Sequence, residues 1–290
     1  MIPLLLSIVC STAIFVIFKL FQRYNIDTFQ AIVVNYFTAA ILGFALYGHE
    51  WKAAALVDTG WMLYAAICSL LFISLFLIMG KSSQVNGVAS TSVAVKMSMA
   101  VSLLFMVYGY SEDLTWLKIA GILLAFVGVF LVSAPSKKNP QVDQATWMLV
   151  VLFFGSGMLD FVLNYVQKFE LASLSPSLFS AIGFGLAGII GALILAVKVI
   201  RKKTQLAWRN SLAGLLLGIP NYFSIYLLML SYTTTGWQDS TVLAITNVAV
   251  VLASALLGIL AFKEKLSPRK IIGLLAAVLA ITTLYIASIY

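Results

Sequence analysis

The sequence predicts an all-α membrane protein, with ten transmembrane helices built as two inverted five-helix repeats. Three observations carry this prediction. Of 290 residues, 62% are hydrophobic and 10% charged, against about 25% charged in a soluble domain. The apolar residues fall into ten continuous runs joined by short loops, each near the length that crosses a bilayer as a helix. The chain is also written twice, with an odd number of runs in each copy.

The runs cover residues 3–21, 28–48, 60–80, 88–108, 115–134, 146–167, 176–199, 211–231, 240–262 and 268–288. They lack the two-residue alternation of a membrane β-barrel. The first begins at once and has no small-residue cleavage site, so it reads as a retained anchor. The second holds the pair Asn35-Tyr36. The third holds Cys68, which with Cys10 in the first lies inside an apolar run, so no disulfide is expected. The fourth, Val88 to Tyr108, reads as one continuous helix with Lys96 near its middle. The fifth opens on an acidic turn at Glu112. The sixth contains Asp160 and the pair Asn164-Tyr165. The seventh spaces Gly183, Ala187 and Gly191 four apart, which suits close helix packing. The eighth carries Pro220 ahead of Asn221-Tyr222, where a ladder hydrogen bond is lost. The ninth holds Thr246 and Asn247. The tenth follows a second acidic turn at Glu264. Trp51, Trp61, Trp116, Trp147, Trp208 and Trp237 all fall at or near run ends, the headgroup position that suits an amphipathic ring. His49 sits in a loop beside Glu50 and reads as solvated.

Charge orients the chain. The net charge is +8, but the basic residues lie in short loops, where they report topology rather than nucleic-acid binding. Alternate loops, with their flanking run ends, hold 14 of the 18 Lys and Arg residues. The largest group is Lys198, Arg201, Lys202, Lys203 and Arg209, whose expected role is attraction to an anionic leaflet. The positive-inside rule puts this set in the cytoplasm and both termini outside.

The repeat is visible in two places. Tyr110-Ser-Glu112-Asp-Leu-Thr-x5-Gly121 matches Phe262-Lys-Glu264-Lys-Leu-Ser-x5-Gly273, an offset of 152. Gln22-Arg23-Tyr24 matches Gln167-Lys168-Phe169, an offset of 145. Five spans per copy force the second copy to enter from the opposite side. Inverted-repeat carriers place their site near the midplane. The expected halves are residues 1–135 and 146–290.

The paired motifs, Glu112-Asp-Leu-Thr to Gly121 and Glu264-Lys-Leu-Ser to Gly273, resemble those of the drug/metabolite transporter superfamily, specifically its ten-helix EamA type. The resemblance covers both halves. It implies a carrier for small metabolites, often an exporter of amino acids or related compounds. Spans 1–4 and 6–9 would surround the cavity, with 5 and 10 peripheral. Many relatives are thought to keep both termini cytoplasmic, opposite to the charge count here. In four-helix exporters of the superfamily, a membrane carboxylate lies eight residues ahead of a lysine. Lys19 is similar to that lysine, but Ser11 holds the earlier position. In the second half, Asn164 and Ser156 take the two places. Neither serine carries a charge, so this form of cation/proton exchange lacks its carboxylate.

Polar groups inside the runs are the candidate site. A lysine at bilayer depth costs about 2.5–3.5 kcal/mol on insertion scales. Lys96 is about 15 Å from either interface at helical rise, too far to reach water easily along its own helix. Its expected remedy is a wet interior and an anionic group on a substrate. Asp160 is the one acid well inside a run. It is expected to neutralise Lys96, bind an ammonium or exchange a proton, and a zwitterion could split the pair. Asn35, Tyr36, Asn164, Tyr165, Asn221, Tyr222 and Asn247 supply neutral donors and acceptors.

No Walker A, G-x-S-x-G, H-E-x-x-H or Cys/His cluster occurs, so no enzyme, cofactor or metal is expected. The expected partners are a small-molecule substrate, the lipid bilayer and a coupling proton or ion, with no nucleic acid. The assembly would be a monomer or homodimer in the plasma (inner) membrane. The leading function is secondary-active transport of small polar metabolites, amino acids favoured, by alternating access around a midplane cavity. The alternatives are a lipid or lipid-linked-sugar translocator of the same fold and, from another class, a membrane sensor or scaffold.

Overall fold

A computed structural model describes residues 1–52, 55, 59–110, 115–133, 145–171, 174–236, 239–264 and 267–289. Among these, eleven α-helices and one 3-10 turn (Gly48–Glu50) form the chain, with no strand. The helices are α1 (Ile2–Arg23), α2 (Thr28–Tyr47), α3 (Gly60–Val85), α4 (Val88–Met97), α5 (Met99–Tyr110), α6 (Trp116–Ser133), α7 (Thr146–Phe169), α8 (Pro176–Ile200), α9 (Trp208–Thr234), α10 (Asp239–Phe262) and α11 (Pro268–Ile289). Among the described residues, nine helical stretches are long and apolar enough to cross a membrane, and α6 is a shorter apolar tenth. The ten runs thus become ten spans. The run from Val88 to Tyr108 crosses as one stretch, with Val88–Met106 as its span, but its helix is interrupted for one residue at Ser98, whose backbone stays right-handed helical (φ −55°, ψ −21°), between α4 and α5.

The chain forms two compact units, and each draws on both sequence halves. One comprises Met1–Leu20, Ile78–Phe161 and Ser224–Tyr290; the other comprises Phe21–Leu77 and Val162–Phe223.

Within the first unit, α6 packs on α11 and α4 packs on α10. These are repeat-equivalent helices. A Cβ built on Gly121 would stand 2.6 Å from Leu284, and one on Gly273 would stand 2.7 Å from Val132. The offset of 152 that takes Gly121 to Gly273 also takes Val132 to Leu284. Each contact is therefore the mirror of the other, as a two-fold axis requires. The partners run in opposite directions, so the axis is perpendicular to the helices and the repeat is inverted. The core between them is aliphatic and tight: Ala125, Ala277, Ala280 and Ile281 are fully buried.

The second unit shows the same relation between α2 and α8. Gly43 meets Ala181 as Gly191 meets Val33, and Gly188 meets Phe37 as Gly185 meets Ala40. Small residues at four-residue spacing let these backbones close up. Asp27 caps α2 by accepting from the N–H groups of Phe29 and Gln30. Ser175 caps α8, with Pro176 at its first position.

One partly buried charge cluster fixes α4. Glu264 Oε1 accepts the Val88 N–H at 2.9 Å, so a carboxylate caps the helix N-terminus. Gly87 (φ +96°) and Gly258 make room for it, since a Cβ on either would stand 2.6–2.7 Å from Glu264 Oε2. Lys19 Nζ lies 3.9 Å from Glu264 Oε1 and donates to the Gln84 carbonyl at 2.7 Å. Lys270 Nζ donates to Ser90 Oγ at 3.0 Å. The second-half glutamate of the repeated motif therefore ties the end of α10 to the start of α4. Its first-half counterpart, Glu112, lies outside the described residues.

Trp51, Trp116, Trp147 and Trp208 are exposed, as interface anchors are. Trp61 is instead buried, and its Nε1–H donates to the Ala55 carbonyl at 3.1 Å. Trp237 lies outside the described residues.

Candidate functional site

The break at Ser98 is the centre of the site in the first unit. Ser98 Oγ lies 2.6 Å from the Val95 carbonyl, to which it donates, closing the end of α4 with a side chain. The Ser98 carbonyl then accepts from the N–H groups of Val101 and Ser102, which starts α5 afresh. Lys96 sits in the last turn of α4. A cation there complements the partial negative charge of a helix C-terminus. Discontinuous membrane helices in carriers present such half-helix ends to polar solutes.

Asp160 on α7 meets this break. Its Oδ2 lies 3.3 Å from Ser98 Oγ, two residues along from Lys96. Lys96 is half-buried and Asp160 is exposed. Gly157, three residues before Asp160, explains the close approach of α7. A Cβ there would stand 2.5 Å from Val101 Cβ and 2.7 Å from the Ser98 carbonyl oxygen.

Asn247 on α10 reaches the same region. It is buried, with Nδ2 3.8 Å from the Met99 sulfur, a weak acceptor. Its neighbour Thr246 is occupied by the Val242 carbonyl at 2.7 Å. The first unit thus brings Lys96, Asp160 and Asn247 to one broken helix. Ser98, Met99 and Gly157 lie at the same place; the sequence left Ser98 evenly open between a plain helix-face hydroxyl and a site group, and marked neither Met99 nor Gly157. The one signal was a hydroxyl two residues after a membrane lysine.

The second unit holds the other six candidates. Asn35 is fully buried, and neither atom of its amide has a hydrogen-bond partner. Such a group is costly in an apolar interior. Tyr36 beside it donates its hydroxyl to the Phe72 carbonyl, and its ring packs among Phe72, Phe76 and Phe184. Asn164 is exposed, and the Tyr165 ring centroid lies 5.5 Å from that of Tyr64. Asn221 and Tyr222 are buried on α9, directly after Pro220. The nine candidates therefore fall into a charged set around a helix break and a neutral set rich in aromatic rings.

Comparison with known proteins gives three results. The EamA-like transporter family matches residues 1–134 and again residues 146–286. An uncharacterized protein of Haemophilus influenzae is 28% identical over 289 residues, covering 97% of this chain and 97% of its own. A solved crystal structure of a protein 13% identical in sequence has a TM-score of 0.58, covering 98% of this chain and 99% of its own, a likeness of fold alone.

Proposed function

The chain belongs to the EamA-like transporter family, and from that premise we propose that it is a secondary carrier of small polar metabolites, with amino acids and related zwitterions as favoured cargo. It is a multi-pass membrane protein, and its proposed location is the plasma (inner) membrane. The observation that carries the reading is Asp160 Oδ2 3.3 Å from Ser98 Oγ, two residues along from Lys96, at an interrupted span. Two opposite charges in apolar surroundings neutralise each other until a solute with both signs arrives. A carboxylate on the solute would meet Lys96, and an ammonium would meet Asp160. Asn247 supports the same site with a neutral donor.

Asp160 also suits a coupling proton. Ser98 has one hydroxyl hydrogen for two acceptors, the Val95 carbonyl and Asp160. When Asp160 is protonated, it donates to Ser98 while Ser98 donates to Val95, and every partner is served. Alternating access would expose this set to each side in turn.

The test is a ligand-stabilisation screen of the purified protein with amino acids, nucleosides, sugars and phosphate esters, repeated on Lys96→Ala. The reading expects zwitterions to raise the melting temperature of the wild type and to leave Lys96→Ala unmoved. Stabilisation by neutral sugars alone, unchanged in Lys96→Ala, would remove it.

A further inference from the structure

Away from the helix break, the second unit carries an open groove of about 360 Å³ lined by Leu193, Ile194, Val197, Lys198, Arg201 and Lys203. Its composition is split along α8. Leu193, Ile194 and Val197 are exposed apolar side chains on the spanning part of the helix. Arg201, Lys202 and Lys203 are exposed where the helix ends.

That basic end is built rather than frayed. The Lys203 N–H donates to the Lys198 carbonyl and the Lys202 N–H to Val199, with Lys202 in the left-handed conformation (φ +54°). This is a helix cap that turns the chain back over its last carbonyls. The following loop is pinned to the start of α2. Thr204 Oγ1 donates to Asp27 Oδ2 at 2.9 Å, and Asn210 Nδ2 donates to Gln30 Oε1 at 2.8 Å. Lys198 Nζ rests 3.9 Å from the centroid of the Phe29 ring, a cation–π contact. The nearby carboxylate of Asp27 is taken by the α2 cap and by Thr204. Among the described residues, no carboxylate pairs with Arg201 or Lys203.

We propose that this groove holds one anionic phospholipid, its acyl chains along Leu193, Ile194 and Val197 and its phosphate against Arg201 and Lys203. An apolar wall leading into uncompensated, ordered cations matches the chemistry of a lipid, whose tail and phosphate are joined in that order. A soluble anion would use only the basic end and leave the groove unfilled. The proposal is independent of the cargo, because it uses no residue at the helix break.

The experiment is native mass spectrometry of the purified full chain, in neutral detergent, with equal amounts of phosphatidylglycerol and phosphatidylcholine. Each basic residue near a membrane surface favours an anionic lipid by about fivefold. The wild type should therefore retain phosphatidylglycerol over phosphatidylcholine by about fivefold or more. Arg201→Gln with Lys203→Gln should lower the ratio by about fivefold or more. Arg201→Lys, which keeps the charge, should preserve it, and a wild-type melting temperature for the double variant shows that its loss is not misfolding. Lys52→Gln with Lys118→Gln should leave the ratio unchanged. Equal retention of both lipids by the wild type, or an unchanged ratio in the Arg201/Lys203 variant, overturns the proposal. Displacement of the lipid by inorganic phosphate at millimolar levels also overturns it, assigning the site to a free anion.

Discussion

Ser98 Oγ lies 3.3 Å from Asp160 Oδ2, and that contact joins the interruption in the fourth span to the carboxylate of α7. The first prediction follows from it. Ser98→Ala removes one hydrogen-bond partner of Asp160 and the side-chain closure of α4. A bond of this kind contributes about 0.5–1.5 kcal/mol, so solute uptake should fall about two- to tenfold. Ser98→Thr should retain most of it. Initial uptake rates in proteoliposomes, normalised to folded protein, make the comparison.

Gly157 gives the second prediction. Its missing side chain lets α7 lie against the Ser98 carbonyl and Val101. Gly157→Ala inserts a methyl group where 2.5–2.7 Å is available. Overpacking of this kind costs about 1–3 kcal/mol. Both the melting temperature and transport should drop. Gly185→Ala meets Ala40 only at 3.7 Å and should leave the melting temperature nearly unchanged.

The Glu264 cluster gives the third. Glu264→Ala leaves the first N–H of α4 uncapped and leaves Lys19 without its carboxylate. Loss of a helix cap costs about 0.5–2 kcal/mol. Lys19→Met should cost less, because its 3.9 Å contact is partly exposed and screened. Thermal unfolding of the two variants ranks them, and the reverse order would contradict the assigned role of Glu264.

The repeat gives the fourth. Gly273→Ala would press on the backbone of Val132 and Gly128, whereas Gly121→Ala presses chiefly on the side chain of Leu284. Side chains yield more readily than backbone. Gly273→Ala should therefore destabilise more than Gly121→Ala, and Leu284→Ala should relieve Gly121→Ala but not Gly273→Ala. Melting temperatures of the single and paired variants decide this.

Much of the architecture was legible in the sequence for a simple reason. Lipid forces every span to be both apolar and helical, so hydropathy alone finds them. The inversion was legible because Gly121 and Gly273 begin equivalent helices, and their mirrored contacts with Leu284 and Val132 bear it out. The break after Met97 was not legible. No Pro or Gly marks it, and the closing group is a serine that is equally at home on a helix face. The role of Glu264 was hidden for a different reason: its partner, the Val88 N–H, lies 176 residues away. Lys96 and Asp160 could be named because charge inside an apolar run is conspicuous. Their proximity needed the fold, since it depends on Gly157 admitting α7 to the break. The deviation of Trp61 is similar, because a tryptophan near a span end has no sequence mark that separates burial from anchoring.

The central claim is that Lys96 and Asp160 together contact the transported solute. The most direct measurement is uptake of labelled amino acids into proteoliposomes under an imposed proton gradient, for the wild type, Lys96→Ala and Asp160→Asn. The account predicts saturable uptake by the wild type and its loss in both variants, with both proteins still folded in the bilayer. Uptake at the wild-type rate by the two variants would contradict it, as would a wild type that moves none of these solutes.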